Sequence, residues 1–164
     1  MHKKRETISQ FLDKLNNNWP ELSQTMNPEI IKIHRLNEYL QQNLDTIIAQ
    51  YQLQKADLSV ISALRRSGEP YILTPTELAA AMLFSSGGLT KVLNRVTRMG
   101  LVERIDNPND KRSKYVQLTT KGIELLETIM PQVQNQENFT NGLNSQQKIT
   151  LNQLLDKMLS HWES

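Results

Sequence analysis

The 164-residue sequence contains no cysteine. This excludes a disulfide framework, a zinc or iron–sulfur site held by thiolates, and redox sensing by a thiol. Histidine is nearly as scarce. His2, His34 and His161 stand far apart without ligand spacing, so no metal site is expected. No run of about 18 apolar residues occurs, and no membrane-spanning helix is expected. The basic start, MHKKRETISQF, has no apolar stretch behind it, which argues against a signal peptide and for a cytoplasmic protein. Catalytic signatures are missing too. There is no nucleophile motif and no paired His. Ser85-Ser86-Gly87-Gly88 lacks the preceding strand and the Lys-Ser/Thr that a phosphate loop needs. Neither enzymatic activity nor a cofactor is expected.

What the sequence does have is charge in one place. The whole chain carries 19 Lys and Arg against 17 acids, a net charge of +2. From Ser85 to Lys114 there are seven basic residues (Lys91, Arg95, Arg98, Arg104, Lys111, Arg112, Lys114) and three acids (Glu103, Asp106, Asp110). That window is +4, so the remainder is −2. A localised basic field points first to a polyanionic partner, although a basic stretch alone also reads as a solvated face.

Periodicity places helices around this window. Ile8, Phe11, Leu12, Leu15 and Trp19 fall at helical spacing, and Pro20 stops that segment. A second stripe, Ile33, Leu36, Leu40, Leu44, Ile47 and Tyr51, follows Pro28, which suits a first helical turn. KADLSVISALRRSG carries Leu58, Ile61 and Leu64 and stops at Gly68. Arg65 and Arg66 sit where they complement the helix dipole. Thr74, Pro75 and Glu77 form a capping box that opens a short helix. Ser85 or Ser86 can cap the next helix, GLTKVLNRVTRM, which ends in a Gly100-Leu101 Schellman pattern. Leu101–Ile105 and Tyr115–Leu118 read as two strands of a hairpin. A long helix then starts at Thr119 or Thr120, with a kink expected at Pro131. Residues 134–145 read as a polar joint, and Leu151, Leu154, Leu155, Met158 and Trp162 mark a last helix.

The expected fold is mainly α with a small antiparallel β-hairpin: a winged helix-turn-helix with flanking dimerisation helices. Residues 1–54 form N-terminal dimerisation helices, 55–118 the DNA-binding lobe and 119–164 C-terminal dimerisation helices. The apolar stripes of the first and last helices are wider than one small domain can cover, which argues for a homodimer.

The chemistry follows from the two-helix unit. The second helix is expected to enter the major groove by its N-terminal end. Ser85, Ser86 and Gly87 are small enough for close approach, and free backbone N–H groups there favour a phosphate. Thr90, Lys91, Asn94 and Arg95 project from successive turns. Arg pairs well with guanine and Asn with adenine. Leu89, Val92, Leu93 and Val96 supply the buried side. The hairpin is then a wing, whose Lys111 and Arg112 lie along the backbone or enter the minor groove. Asp110 orients Arg112 by a charge-assisted bond, or serves only as a turn former after Asn107, Pro108 and Asn109.

LTPTELAAAM and SSGGLTKVLNRVTRMGLVERIDNPNDKRSKYVQLTTKG together resemble the winged-helix core of the MarR family of bacterial and archaeal transcription regulators. The resemblance lies in the wing Asp110-Lys111-Arg112-Ser113, in Gly100-Leu101-Val102-Glu103-Arg104 before it, and in Leu118-Thr119-Thr120-Lys121-Gly122 after it. It covers about residues 55–125. It implies a homodimer on a pseudo-palindromic DNA operator, most often a repressor released by a small phenolic or anionic effector. The N-terminal extension with Trp19, PELSQTM and LRRSGEPYILTPTELA is reminiscent of the urate-responsive branch. Trp19 and Arg104 match that branch. Ser59 stands where it carries a ligand-linked Asp, and Val92 where it carries an Arg, which implies a ligand other than urate. Trp19, Ser59 and Arg104 are the ligand-binding candidates. Trp19 also reads as a helix-packing residue, and Arg104 as a strand residue paired with a nearby acid. Two rival functions stay open: a winged-helix protein-interaction module, and a DNA binder with no ligand.

Overall fold

The computed structural model describes residues 5–82, 88–108, 114–136 and 142–163. The chain forms two compact units, residues 1–46 and 47–164.

In the first unit, α1 (Ile8–Asn18) opens on a capping box. The Thr7 hydroxyl accepts from the Gln10 N–H at 3.2 Å, and the Gln10 side chain returns the bond to the Thr7 N–H at 3.0 Å. Trp19 closes α1 and opens α2 (Pro20–Thr25), a helix that the periodicity does not announce. Proline has no N–H to donate, so it ends one helix. The same lack costs nothing at the first position of the next. The long α3 (Pro28–Ala49) follows. Neither α1 nor α2 buries a residue, and Phe11, Trp19, Leu22, Ile30, Ile33, Leu36 and Tyr39 are all exposed.

The second unit begins with the end of α3. It contains α4 (Lys55–Arg66), β1 (Ile72–Leu73), α5 (Pro75–Ala81), α6 (Leu89–Arg98), β2 (Val102–Asp106), β3 (Lys114–Leu118), α7 (Thr120–Gln136) and α8 (Ser145–Leu159). Its core is continuous across these elements: Val60, Ile61 and Leu64 from α4, Leu78 from α5, Val96 from α6, Val102 and Val116 from the sheet, and Ile129 from α7. The sheet has three antiparallel strands in the order β1-β3-β2, not the two of the expected hairpin. At two residues, β1 is too short to show an alternating pattern, and it is recruited by pairing Ile72 with Gln117 and Leu73 with Val116.

Local caps fix the element ends. α4 stops at Ser67, with Gly68 in the left-handed region at φ +84°. Arg66 does more than face the helix dipole, because its guanidinium donates to the Ala81 carbonyl at the end of α5. In the α5 capping box the Thr74 hydroxyl accepts from the Glu77 N–H at 3.2 Å, and Glu77 Oε2 accepts from the Thr74 N–H at 2.8 Å. α7 continues through Pro131 as one helix. Asn144 caps α8 by accepting from the Gln147 N–H at 2.9 Å. α8 buries no residue and leaves Ile149, Leu154, Leu155, Met158 and Leu159 exposed, with Trp162 beyond it.

Candidate nucleic-acid interface

The two faces of α6 differ completely in chemistry. Val92, Leu93 and Val96 are buried, while Thr90, Lys91, Asn94, Thr97 and Arg98 are exposed. The exposed set advances by three and four residues, so it forms one stripe along the helix. Among the described residues no carboxylate pairs with Lys91. Arg98 extends the stripe toward the C-terminal end. It belongs to the basic window but was not among the expected contacts.

Both ends of α6 are defined. At its start stands Gly88, at φ +95°, with no side-chain cap. The expected cap from Ser85 or Ser86 is therefore replaced by a glycine that accepts the helical turn in a left-handed conformation. The first N–H groups of α6 are left without a side-chain acceptor at the cap. At its end the Schellman motif is complete. The Gly100 N–H donates to Thr97 O at 2.9 Å, and the Leu101 N–H donates to Val96 O at 3.0 Å.

α7 is fastened to this end of α6. Lys121 Nζ donates to Met99 O at 2.8 Å, neutralising the negative pole of the helix. The Thr119 hydroxyl lies 2.7 Å from Gly100 O and 3.0 Å from Leu101 O, and accepts from the Gly122 N–H at 3.1 Å. A Cβ at Gly122 would stand 2.4 Å from Leu101 O and 2.6 Å from Leu118 Cδ1, so only glycine fits. The Leu118-Thr119-Thr120-Lys121-Gly122 motif thus has a mechanical reason.

Arg95 is placed differently from its neighbours. Its Nε lies 2.8 Å from both carboxylate oxygens of Asp57. Its Nη2 lies 2.6 Å from Oδ1, off the axis of a hydrogen bond, and so contributes as an ion-pair contact. Asp57 is fully buried, whereas the Arg95 side chain keeps 30% of its exposure. Asp57 Oδ2 also accepts from the Gln54 N–H at 2.8 Å, so the carboxylate joins the start of α4 to the middle of α6. Periodicity put Arg95 on the face of Lys91; a partner distant in sequence turns it inward. Asp57 itself escaped sequence reading, although a single acid just ahead of Leu58, Val60 and Ile61 was its visible signal.

The wing strands pair from Val102↔Leu118 to Asp106↔Lys114, and an Asp106–Lys114 ion pair closes the last described rung. Lys114 of the basic window is thereby partnered. Among the described residues Arg104 pairs with no acid; its Nη2 donates to Asn94 Oδ1 at 3.2 Å. Ser85, Ser86 and Gly87, and the wing tip Asp110, Lys111, Arg112 and Ser113, lie outside the described residues. Of the ligand-binding candidates, Trp19 is 58% exposed at the α1–α2 junction, Ser59 is half-buried on α4, and Arg104 is exposed on β2. No group of three or more potential metal ligands occurs among the described residues, and no described helix is long and apolar enough to cross a membrane.

Comparison with known proteins agrees with this architecture. The family model described as MarR family matches residues 51–113. The multiple antibiotic resistance protein MarR of Escherichia coli is 34% identical over 138 residues, covering 80% of this chain and 93% of that protein. The chain belongs to the MarR family. It is accordingly a DNA-binding transcription regulator with a winged-helix fold, and not an enzyme. The HTH-type transcriptional regulator PecS of Dickeya dadantii is 25% identical over 155 residues, covering 94% of this chain and 93% of its own length. The crystal structure of a mutant E. coli MarR complexed with operator DNA superimposes with a TM-score of 0.67 at 31% identity, covering 88% of this chain and 97% of that one.

Proposed function

We propose that this MarR-family regulator is a homodimeric, cytoplasmic repressor that holds a pseudo-palindromic operator with two α6 helices and two wings. In this reading it releases the operator when a small phenolic or anionic compound binds. The observation that supports it most is the split chemistry of α6: an apolar face in the core and a polar, basic stripe in solvent. Thr90, Lys91 and Asn94 meet base edges in the major groove, and Arg98 a phosphate. The uncapped start of α6 receives another phosphate, with Ser85, Ser86 and Gly87 permitting close approach. Lys111 and Arg112 hold the adjacent backbone or minor groove, Asp110 orients Arg112, and Ser113 completes the wing motif. Arg95, held by Asp57, supports α6 from behind and leaves the base-contacting set.

The exposed apolar residues of α1–α3 and of α8 support the dimer, since each set is larger than the scattered apolar residues of an ordinary monomer surface. Two-fold symmetry then places the recognition helices about one DNA turn, roughly 34–36 Å, apart. The effector reading rests on the resemblance of the N-terminal extension to the urate-responsive branch, with Trp19, Ser59 and Arg104 each a separate ligand-binding candidate. Such a compound acts only if it binds the DNA-competent and released states with different affinity.

The test is fluorescence anisotropy on DNA upstream of the protein's own gene, against shuffled DNA, across a salt series, for the wild type and for Lys111→Ala/Arg112→Ala. Selective binding that weakens steeply with salt and collapses in the double variant is expected. Equal, weak binding to both DNAs, insensitive to the substitutions, would favour the interaction-module reading. Operator affinity unchanged across phenolic and anionic compounds would favour a ligand-independent binder.

A further inference from the structure

The Arg104–Asn94 hydrogen bond bears on which base the recognition helix prefers. Asn94 is exposed in the stripe of α6. An unrestrained Asn presents an acceptor and a donor side by side, which matches adenine N6 and N7 in the major groove. In this chain that acceptor already takes one hydrogen bond. Arg104 lies on β2, and strand alternation puts it on the same side of the sheet as Val102, which is buried. From that side its Nη2 reaches Asn94 Oδ1 at 3.2 Å. Guanidinium carries only donors, so the amide atom that faces it has to be the oxygen. The NH2 group of Asn94 has no partner among the described residues, while its oxygen keeps one lone pair but is oriented by the guanidinium.

We propose that Arg104 is a specificity-determining residue, which acts by fixing the amide of Asn94 so that the helix selects guanine over adenine at the base pair Asn94 meets. Guanine offers two acceptors, O6 and N7, to the NH2 donor. Adenine offers N7 beside an amino group, which would have to share the one oxygen that Arg104 already holds. The proposal rests on the placement of α6 in the major groove given above. It makes Arg104 a positioning residue that acts through Asn94.

The experiment selects a randomised duplex pool with the full-length protein and sequences what is retained. Wild type, Asn94→Ala, Arg104→Ala and Asn94→Asp are run in parallel, with circular dichroism to confirm folding. Asn94→Ala identifies the base pair that this side chain reads, as the position where preference flattens. At that position the wild type is expected to favour guanine. Arg104→Ala should move the preference toward adenine by about tenfold, the size of one good base contact, and leave the rest of the motif unchanged. Asn94→Asp keeps an oxygen for Arg104 but has no donor, and should turn the preference to cytosine, whose amino group it can accept. A wild type that already favours adenine there overturns the proposal. So does an Arg104→Ala variant with the wild-type motif, or one weakened equally at all positions, or an Asn94→Ala variant that loses no preference. A wild type that enriches no motif at all would overturn the DNA reading itself along with it.

Discussion

Arg95 and Asp57, 38 residues apart in the chain, meet as an ion pair in which the acid is fully buried and the base is not. The two partners are therefore unequal when removed. Arg95→Ala leaves a buried carboxylate without its counter-charge, held only by the Gln54 N–H, and should cost about 3–5 kcal/mol, as for other buried pairs broken on one side. Asp57→Ala leaves a guanidinium that can swing into solvent, and the loss should be nearer about 1–3 kcal/mol, that of an abandoned charged hydrogen bond. Urea unfolding of both variants measures the asymmetry. Equal losses would mean that Arg95 has no path outward.

Gly122→Ala should be costly for a purely steric reason. The new methyl would lie 2.4 Å from a backbone oxygen, Leu101 O, which cannot move aside without disturbing the end of α6. A destabilisation of about 3 kcal/mol is expected, at the upper end of overpacking effects. Thermal denaturation would show it. Gly142→Ala, where a methyl meets nothing within 4 Å, is the control that should stay near the wild type.

The α5 cap predicts a pH effect. The Thr74 backbone N–H, and then its hydroxyl, hold the Glu77 carboxyl below its ordinary range. A carboxyl lowered in the folded state contributes stability that is complete above its unfolded value and fades as pH falls through the folded one. Wild type should therefore melt above Glu77→Gln at neutral pH. The gap should close as the solution is acidified through and below the ordinary glutamate range. A gap independent of pH would show that the charge on Glu77 contributes nothing.

The exposed apolar residues of α8 make the proposed dimer testable. Leu155→Glu/Leu159→Glu changes two exposed positions one turn apart, so the fold of each chain should survive. Light scattering should report a monomer. Affinity for a two-half-site operator should fall by about a hundredfold or more, because the second half-site is then no longer held at high effective concentration. A dimer that persists would place the interface elsewhere.

How much of this was legible in the sequence depended on range. Caps are written within a few residues, and Thr74 with Glu77, Gly68, and Gly100 with Leu101 could all be read directly. The apolar stripes gave most of the helices and the wing strands. α2 leaves no stripe, because the six residues from Pro20 to Thr25 are too few to show a period. β1 leaves none either, because two residues carry no period and depend on β3 to exist as a strand. The inward turn of Arg95 and the engaged oxygen of Asn94 were illegible for a different reason. Each depends on a partner, Asp57 or Arg104, that only the folded chain brings near.

The stripe Thr90, Lys91, Asn94, Thr97 and Arg98 contains no residue of the core, and α6 is held from its other side and from its C-terminal end. Substitutions confined to that stripe should each change stability by less than about 0.5 kcal/mol, as at other surface positions. Descendants of such a chain can therefore vary this surface freely while inheriting an unchanged scaffold. Divergence of target and conservation of fold need not compete in this lineage.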